Sequence, residues 1–235
     1  MTDEALFDRM ADTYDNWYTT PFGAYADELE NTLIFKHTGI LRGKTVLDTG
    51  CGTGLYSIRL SEAGADVTAV DVSRKMLEIA QRKSKDRGQY IWYEEADMLK
   101  LPYDNSTFDA VVSVTALEFV ADPLAGLMEM ARVLRPGGKL VVGVLNGESP
   151  WADAQRDQTA REESIYGSAH FFSSTELRSL FHKAGTFGSL TMESCLYANP
   201  TNKAVQDPAV SRQEIFGRLF RPLTGAFIVG TARKR

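Results

Sequence analysis

The segment Val46-Leu47-Asp48-Thr49-Gly50-Cys51-Gly52-Thr53-Gly54 constrains this chain more than any other. A short apolar run stops at Asp48, three glycines follow at alternate positions, and an amphipathic stretch from Leu55 to Ala63 begins at once. That order reads as strand, tight turn, helix start. Glycine lets the backbone turn sharply and lie against a ligand, because no Cβ intervenes. The helix behind the turn presents unpaired N–H groups. In an open α/β sheet such a turn lies at the carboxyl end of a strand, where ligands bind.

The spacing excludes two familiar phosphate-binding turns. The dinucleotide pattern G-x-G-x-x-G would need a glycine at position 55 or 57, where this chain has Leu55 and Ser57. The P-loop pattern G-x-x-x-x-G-K-[ST] is absent. Asp48 stands two residues before the first glycine, which would repel a pyrophosphate and suit a cationic ligand. A nicotinamide-dependent oxidoreductase is therefore disfavoured.

Further along, strand and helix patterns alternate. Val67 to Val70 is a second apolar run closed by Asp71, and Ser73 reads as the cap of a helix over residues 74 to 85. Tyr90 to Tyr93 reads as a third strand, followed by Asp97, and Phe108 to Val114 as a fourth. Pro123 suits the first turn of a helix to about Leu134; Arg135 to Gly138 reads as a turn, and Lys139 to Leu145 as a fifth strand. Strands this apolar are buried on both faces. The pattern predicts an α/β fold with a Rossmann-like, doubly wound, mostly parallel sheet. Ser173 to Ala184 reads as a helix capped by Ser173 or Ser174. Ser189 to Tyr197 and Ala226 to Thr231 read as strands of an antiparallel end to the sheet. Residues 198 to 224 between them carry Pro200, Pro208 and Pro222 around the amphipathic SRQEIFGRLF.

The N-terminal part is helical in pattern. Leu6, Met10, Tyr14 and Trp17 form one stripe, Pro21 and Gly23 interrupt it, and Tyr25, Leu29, Leu33 and Ile34 resume it. The expectation is a single domain over 1–235. It has a helical cap at 1–42, a ligand-binding core at 43–146, and lid insertions at 147–172 and 198–224.

Composition narrows the function classes. The formal charge is −5 and the sequence pI about 5.3. Such a chain lacks the broad basic footprint that duplex nucleic acid demands, so no DNA partner is expected. The two cysteines, Cys51 and Cys195, have no disulfide or zinc spacing. The start MTDEALFDRM has no apolar core of a signal peptide, and no apolar run approaches a membrane span. These point to a cytoplasmic protein with no membrane partner. Oligomeric state is not readable.

Asp48, Asp71 and Asp97 end successive strands beside the glycine turn. Asp71, 21 residues after Gly50, can accept two hydrogen bonds from ribose hydroxyls. Cys51 reads as a small residue in a tight turn rather than a nucleophile, and Cys195 as core. No metal-ligand cluster is present.

The runs VLDTGCGTG, VTAVDVS, EEADMLKLPY, FDAVVSVTALEFV and RVLRPGGKLVVGVLN resemble the class I S-adenosylmethionine-dependent methyltransferases. The closest likeness is to the small-molecule group with a D-x-G-x-G-x-G loop, over about residues 44 to 146. The A-x-x-Y-D of Ala11 to Asp15 resembles the cap segment of many members. The resemblance implies a seven-stranded sheet with an antiparallel last strand and a helical N-terminal cap. It implies S-adenosylmethionine as cofactor, S-adenosylhomocysteine as product, and a small-molecule methyl acceptor. Gly50, Cys51, Gly52 and Gly54 would pass close to the methionine part, with Asp48 near its ammonium. Asp71 would hold the ribose diol and Val72 pack on adenine. Asp97 would face the adenine amine with Met98 beside it. Ser113 and Thr115 would line the cleft near the methyl group, and Tyr14 and Tyr18 would close over the cofactor.

A sulfonium methyl is already electrophilic, so alignment and water exclusion are the main demands. A general base is needed only if the acceptor arrives protonated, and the candidates are His170, Glu118 and Tyr166. Related small-molecule methyltransferases often carry a histidine near position 118, where this chain has Glu118. Adenine-specific DNA methyltransferases carry [DN]-P-P-[YF] after the fourth strand, where this chain reads Val-Thr-Ala-Leu. Trp17, Tyr18, Phe22, Trp151 and Tyr166 suit an apolar or aromatic acceptor. The competing readings are a methyltransferase acting on tRNA or protein, and a non-catalytic module that only binds the cofactor.

Overall fold

The computed structural model describes residues 3–159, 165–185, 187–198 and 205–235. Side chains are not described at 3–6, 156–159 and 165, so the expected packing of Leu6, and Pro200 with its neighbours, lie outside the described residues.

Seven strands form one sheet in the order β3-β2-β1-β4-β5-β7-β6. The strands are β1 (Thr45–Thr49), β2 (Asp66–Asp71), β3 (Ile91–Glu95), β4 (Phe108–Val114), β5 (Leu134–Leu145), β6 (Thr191–Cys195) and β7 (Phe227–Arg233). The first five pair in parallel, and β7 runs antiparallel to both β5 and β6. The antiparallel last strand thus sits inside the sheet edge, with β6 outermost. Strand order reverses at β1 and β4, which opens a crevice at their carboxyl ends.

Alternation along the buried strands divides the core. Val46, Val67, Val112 and Val229 face one layer, with Ile34 and Leu60. Leu47, Val70, Val111, Val142 and Ile228 face the other, with Leu127, Met130, Leu177 and Phe181. The first layer is built on α2 (Pro21–Thr38) and α3 (Leu55–Glu62), joined by α4 (Arg74–Asp86). The second uses α5 (Pro123–Val133) and α7 (Ser174–Ala184); α6 (Pro150–Thr159) lies between β5 and α7 in sequence.

Local signals hold where they were specific. Ser73 caps α4 by accepting from the Met76 N–H at 3.2 Å. Ser173 caps α7 with Glu176 in a reciprocal capping box. Two expectations change. Arg135 to Gly138 lies inside β5, as a register shift between Phe108↔Leu134 and Ala110↔Lys139. Gly137 supplies its positive φ of 76°, so the turn chemistry makes a bulge rather than a strand break. Residues 208–220 form a full helix, α8, between β6 and β7. Asp207 caps it and Pro208 begins it. Its outer face leaves Ile215, Phe216, Leu219 and Phe220 in solvent.

The N-terminus is α1 (Asp3–Tyr14), a 3-10 turn (Asp15–Thr19) and α2. The break at Pro21 is a helix start: Thr20 accepts from Gly23 N–H at 3.0 Å. Polar clasps bind this segment to the sheet's carboxyl end. Asp8 accepts from Ser73 Oγ at 2.6 Å. Asp15 accepts from Thr53 Oγ1 at 2.6 Å and from Lys83 Nζ at 2.7 Å. Among the described residues, no helix is long and apolar enough to cross a membrane.

Candidate active site

Two adjoining cavities lie at the crevice. The first, about 340 Å³, opens at the ends of β1, β2 and β4. The glycine turn forms its floor. Gly50 and Cys51 N–H groups both donate to the Val70 carbonyl, at 2.8 and 3.0 Å, which folds the turn back over β2. Gly50, Gly52 and Gly54 hold φ of 68°, 52° and 78°. Glycine alone adopts these values at no steric cost.

Asp48, Asp71 and Asp97 all line this first cavity, with Gly50, Cys51 and Gly52. Val72, Met98, Tyr14, Tyr18 and Thr115 line it too. Asp71 accepts from Gly52 N–H at 2.8 Å and from Ser73 N–H at 2.9 Å, one on each oxygen. A carboxylate has about four lone-pair sites, so each oxygen keeps one for a ligand hydroxyl. Asp97 is exposed at the mouth and accepts from Leu99 N–H at 2.8 Å. Asp48 is buried and accepts from Ser57 Oγ at 2.5 Å. Burial, helped by the Asp71 charge and opposed by the Ser57 hydroxyl, pushes its pKa up to about 7. Burial likewise pushes the Cys51 thiol well up, so it stays a thiol and no nucleophile.

Four expected residues fall elsewhere, Glu118 among them. Gly54 does not line the cavity: a Cβ there would lie 2.8 Å from both Ala80 Cβ and Tyr93 Oη, so this glycine lets α3 pack on α4 and β3. Ser113 is buried within the sheet and donates to the Thr49 carbonyl at 3.1 Å, away from either cavity. It shares the face of Val111, while its neighbours on β4 alternate to the other side. His170 is half exposed and its Nε2 lies 2.7 Å from Glu176 Oε1, outside both cavities. It is a surface histidine at the head of α7, not a base in the site.

The second cavity, about 240 Å³, lies under the N-terminal helices. Trp17, Phe22, Trp151 and Tyr166 line it, with Glu30 of α2. Phe7, Tyr14, Tyr18, Thr115 and Phe119 line both cavities. Phe7 and Phe119 meet edge to face at 4.9 Å between ring centroids. Thr115 carries a φ of 48°, an outlier for a β-branched residue, and is pinned by donating its N–H to Gly143 O at 2.9 Å. Such strain collects at functional sites. Burial, then the Asp71 charge, raises the Tyr14 phenol to about 12, so it is neutral near pH 7.

Glu118 stands behind this wall rather than in it. Its Oε1 accepts from Leu145 N–H at 2.6 Å, Oε2 has no partner, and burial pushes its pKa up to about 8. Glu30 and Asp15 were missed in the sequence. Asp15 had a signal, the A-x-x-Y-D segment; Glu30 sits in a charged DELE run that reads as a solvent face.

The cavity suits an adenosine with a cationic amino-acid end. Carboxyls stand at both places where such a ligand needs acceptors, Val72 and Met98 give apolar walls, and a Cβ at Gly52 would meet nothing within 4 Å. That open space is a cradle for a ligand pressed against bare backbone.

A family model described as a methyltransferase domain matches residues 47–142. A demethylmenaquinone methyltransferase of Clavibacter sepedonicus is 36% identical over 140 residues, covering 59% of this chain and 56% of that one. A ubiquinone biosynthesis O-methyltransferase of Idiomarina loihiensis is 40% identical over 114 residues, 48% of this chain and 47% of that one. The chain thus spans about half the length of the curated relatives it matches. A solved SAM-dependent methyltransferase of Thermotoga maritima, provisionally named a histamine N-methyltransferase, aligns over 98% of this chain and 99% of its own. Its TM-score is 0.72 and its identity 26%. The [4+2]-cyclase SpnF shares the fold at 23% identity and a TM-score of 0.64, over 89% of this chain and 80% of its own. Residues 47–142 thus match a methyltransferase domain, and the chain shares its fold over nearly its whole length with a solved SAM-dependent methyltransferase.

Proposed function

We propose that this protein is a cytoplasmic enzyme that transfers a methyl group from S-adenosylmethionine to a small molecule held in the second cavity. The observation that carries this is the shared wall: Tyr14, Tyr18 and Thr115 border both cavities, so a cofactor in one and an acceptor in the other meet there. When bound, the sulfonium supplies a methyl carbon that needs no further activation. The protein's part is alignment and exclusion of water. Asp71 holds the ribose diol with its free lone pairs, Val72 packs on adenine, and Asp97 and Met98 meet the adenine edge. Gly50 and Gly52 let the methionine part lie on the backbone. Asp48 faces its ammonium, whose charge draws the Asp48 proton off. Tyr14 and Tyr18 close over the methyl group. Trp17, Phe22 and Glu30 of the N-terminal segment, with Trp151 and Tyr166, enclose the acceptor.

Thermal unfolding with saturating S-adenosylhomocysteine, beside a sample with NAD, tests the cofactor. At about 100 times its dissociation constant a ligand adds about 2.7 kcal/mol, or roughly 5 to 10 °C for a chain of this size. A shift with NAD and none with S-adenosylhomocysteine overturns the reading. Asp71→Ala is expected to weaken S-adenosylhomocysteine about a hundredfold, because two ribose hydrogen bonds to a charged acceptor are lost. Turnover is tested separately, by labelled methyl transfer to small molecules, since the fold alone does not fix the chemistry.

The Asp15 clasp gives a second test. Asp15→Asn removes the ion pair to Lys83 but keeps an acceptor for Thr53. Dissociation of S-adenosylhomocysteine, followed by stopped flow, is expected to quicken about five- to tenfold with the melting temperature nearly unchanged. An unchanged off-rate would mean the N-terminal segment does not gate the cofactor.

A further inference from the structure

The second cavity is walled by aromatic rings and carries one acid. Trp17 meets Tyr18 and Phe22 edge to face at 5.1 and 6.4 Å, and Trp151 meets Tyr166 at 5.3 Å. Glu30 lines this cavity, is 8% exposed, and among the described residues has no hydrogen bond or ion pair to its carboxyl. A buried acid without a partner is costly, and a native one calls for a reason.

The charges around Glu30 give the reason. Asp27, one turn earlier on α2, is held by both Arg59 nitrogens, at 2.7 and 2.5 Å. Among the described residues, Arg59 is the one cation acting on Glu30, and it is already committed to Asp27. Glu118 adds a second buried acid behind the wall. The other titratable groups that feel Glu30 are Tyr14, Tyr18, Tyr56, Tyr166 and Cys195, all pushed up by burial and so neutral. Burial first, then Asp27 and Glu118, lifts Glu30 to about 8, and Arg59 opposes this. A phenolate would find no uncommitted cation here among the described residues, and would be repelled once Glu30 ionised. A cation would meet ring faces and a carboxyl with no other partner.

We propose that the methyl acceptor is an organic amine, bound as its ammonium against Glu30 inside the aromatic ring, and that Glu30 is the base that takes its proton. This deepens the reading of the second cavity as the acceptor site and rests on it. One N–H proton passes to the Glu30 carboxylate. The freed nitrogen lone pair forms the N–C bond to the methyl carbon, while the S–C bond breaks with its electron pair going to sulfur. The products are a methylated ammonium, the neutral thioether and protonated Glu30, which solvent resets. The charge is +1 before and after.

Binding reports this without turnover. Phenethylamine, tryptamine and N,N-dimethylbenzylamine are titrated calorimetrically into protein saturated with S-adenosylhomocysteine, between pH 6 and 9, in buffers of differing ionisation enthalpy. Glu30 must ionise to pair with the ammonium. Affinity is therefore expected to rise about tenfold per pH unit up to about pH 8 and then level, with about one proton released per amine bound at pH 6 to 7. The neutral probes 2-phenylethanol and p-cresol are expected to bind at least about thirtyfold more weakly and to release no proton. Glu30→Gln is expected to keep S-adenosylhomocysteine affinity while losing the proton release and the pH dependence. Should that variant fail to fold, the wild-type pH series and the neutral probes still decide. Amine binding independent of pH, neutral probes as tight as amines, proton release unchanged in Glu30→Gln, or no amine bound below about 10 mM would each overturn the proposal. Failure to bind S-adenosylhomocysteine overturns the cofactor reading instead, and is read in the first titration.

Discussion

The ligand-free protein is expected to lose stability as pH rises from about 5 to 8, the reverse of the common acid-side loss. Three buried acids cause it. Asp48 is lifted from 3.8 to about 7, and Glu30 and Glu118 from 4.5 to about 8, each chiefly by burial. In that window the folded chain keeps protons that the unfolded chain has released. The unfolded state then binds fewer protons, and stability falls with pH. The stabilisation is complete below the unfolded values and is lost as pH passes the folded ones. One group changes stability by about 1.4 kcal/mol per pH unit, and three acting together by up to about 4. His37 opposes them near pH 6, because burial lowers its pKa and its stabilising effect grows as pH rises. The net expectation is a melting temperature that drops by at least about 3 to 6 °C per pH unit between 5.5 and 7.5 at constant ionic strength. Glu118→Gln should flatten the curve. Its amide oxygen still accepts from Leu145 N–H, so little is lost at pH 5.5, and the variant gains on the wild type at pH 8. Saturating S-adenosylhomocysteine should flatten it too, since its ammonium stabilises ionised Asp48. A melting temperature that climbs across this range would show that these acids are hydrated in solution.

What the sequence made legible follows from range. The glycine turn, the Ser73 cap and the Phe108–Val114 strand are set by neighbours in the chain, and each stands where expected. Asp48, Asp71 and Asp97 were legible because strands in such sheets deliver their ends to one crevice. Glu30 was not. Within DELENTLIF it has the pattern of an exposed position, and only the packing of α2 over β5, β6 and β7 buries it. His170 fails for the opposite reason. Its aromatic neighbours Phe171 and Phe172 turn inward, while its own ring faces Glu176 in solvent. Ser113 lost its place to period-two alternation, which directs it to the face away from the cleft. In each case a partner distant in sequence decides where the side chain goes.

Gly50→Ala and Gly52→Ala are expected to separate folding from binding at the same turn. Both residues hold positive φ, which costs alanine about 1 to 2 kcal/mol. At Gly50 a Cβ would also overlap Ala116 Cβ and lie 3.1 Å from Met98 Cε. Overpacking adds about 1 to 3 kcal/mol. The first variant should therefore lose about 2 to 5 kcal/mol, a large share of an ordinary margin of about 5 to 15 kcal/mol, and fold poorly. At Gly52 the same methyl meets nothing within 4 Å. Its stability cost is the backbone penalty alone, about 1 to 2 kcal/mol, so it should fold. Yet that methyl enters the space where the ligand would lie against the backbone. Urea denaturation should show Gly52→Ala folded with an unchanged slope, and calorimetry should show S-adenosylhomocysteine weakened by about a hundredfold or more. Near-normal binding by Gly52→Ala would move the cofactor off the glycine turn. Ala116 supplies the control, since Ala116→Gly in the Gly50→Ala background removes the overlapping atom. It should restore part of the stability but none of the φ penalty, so the two contributions can be read apart.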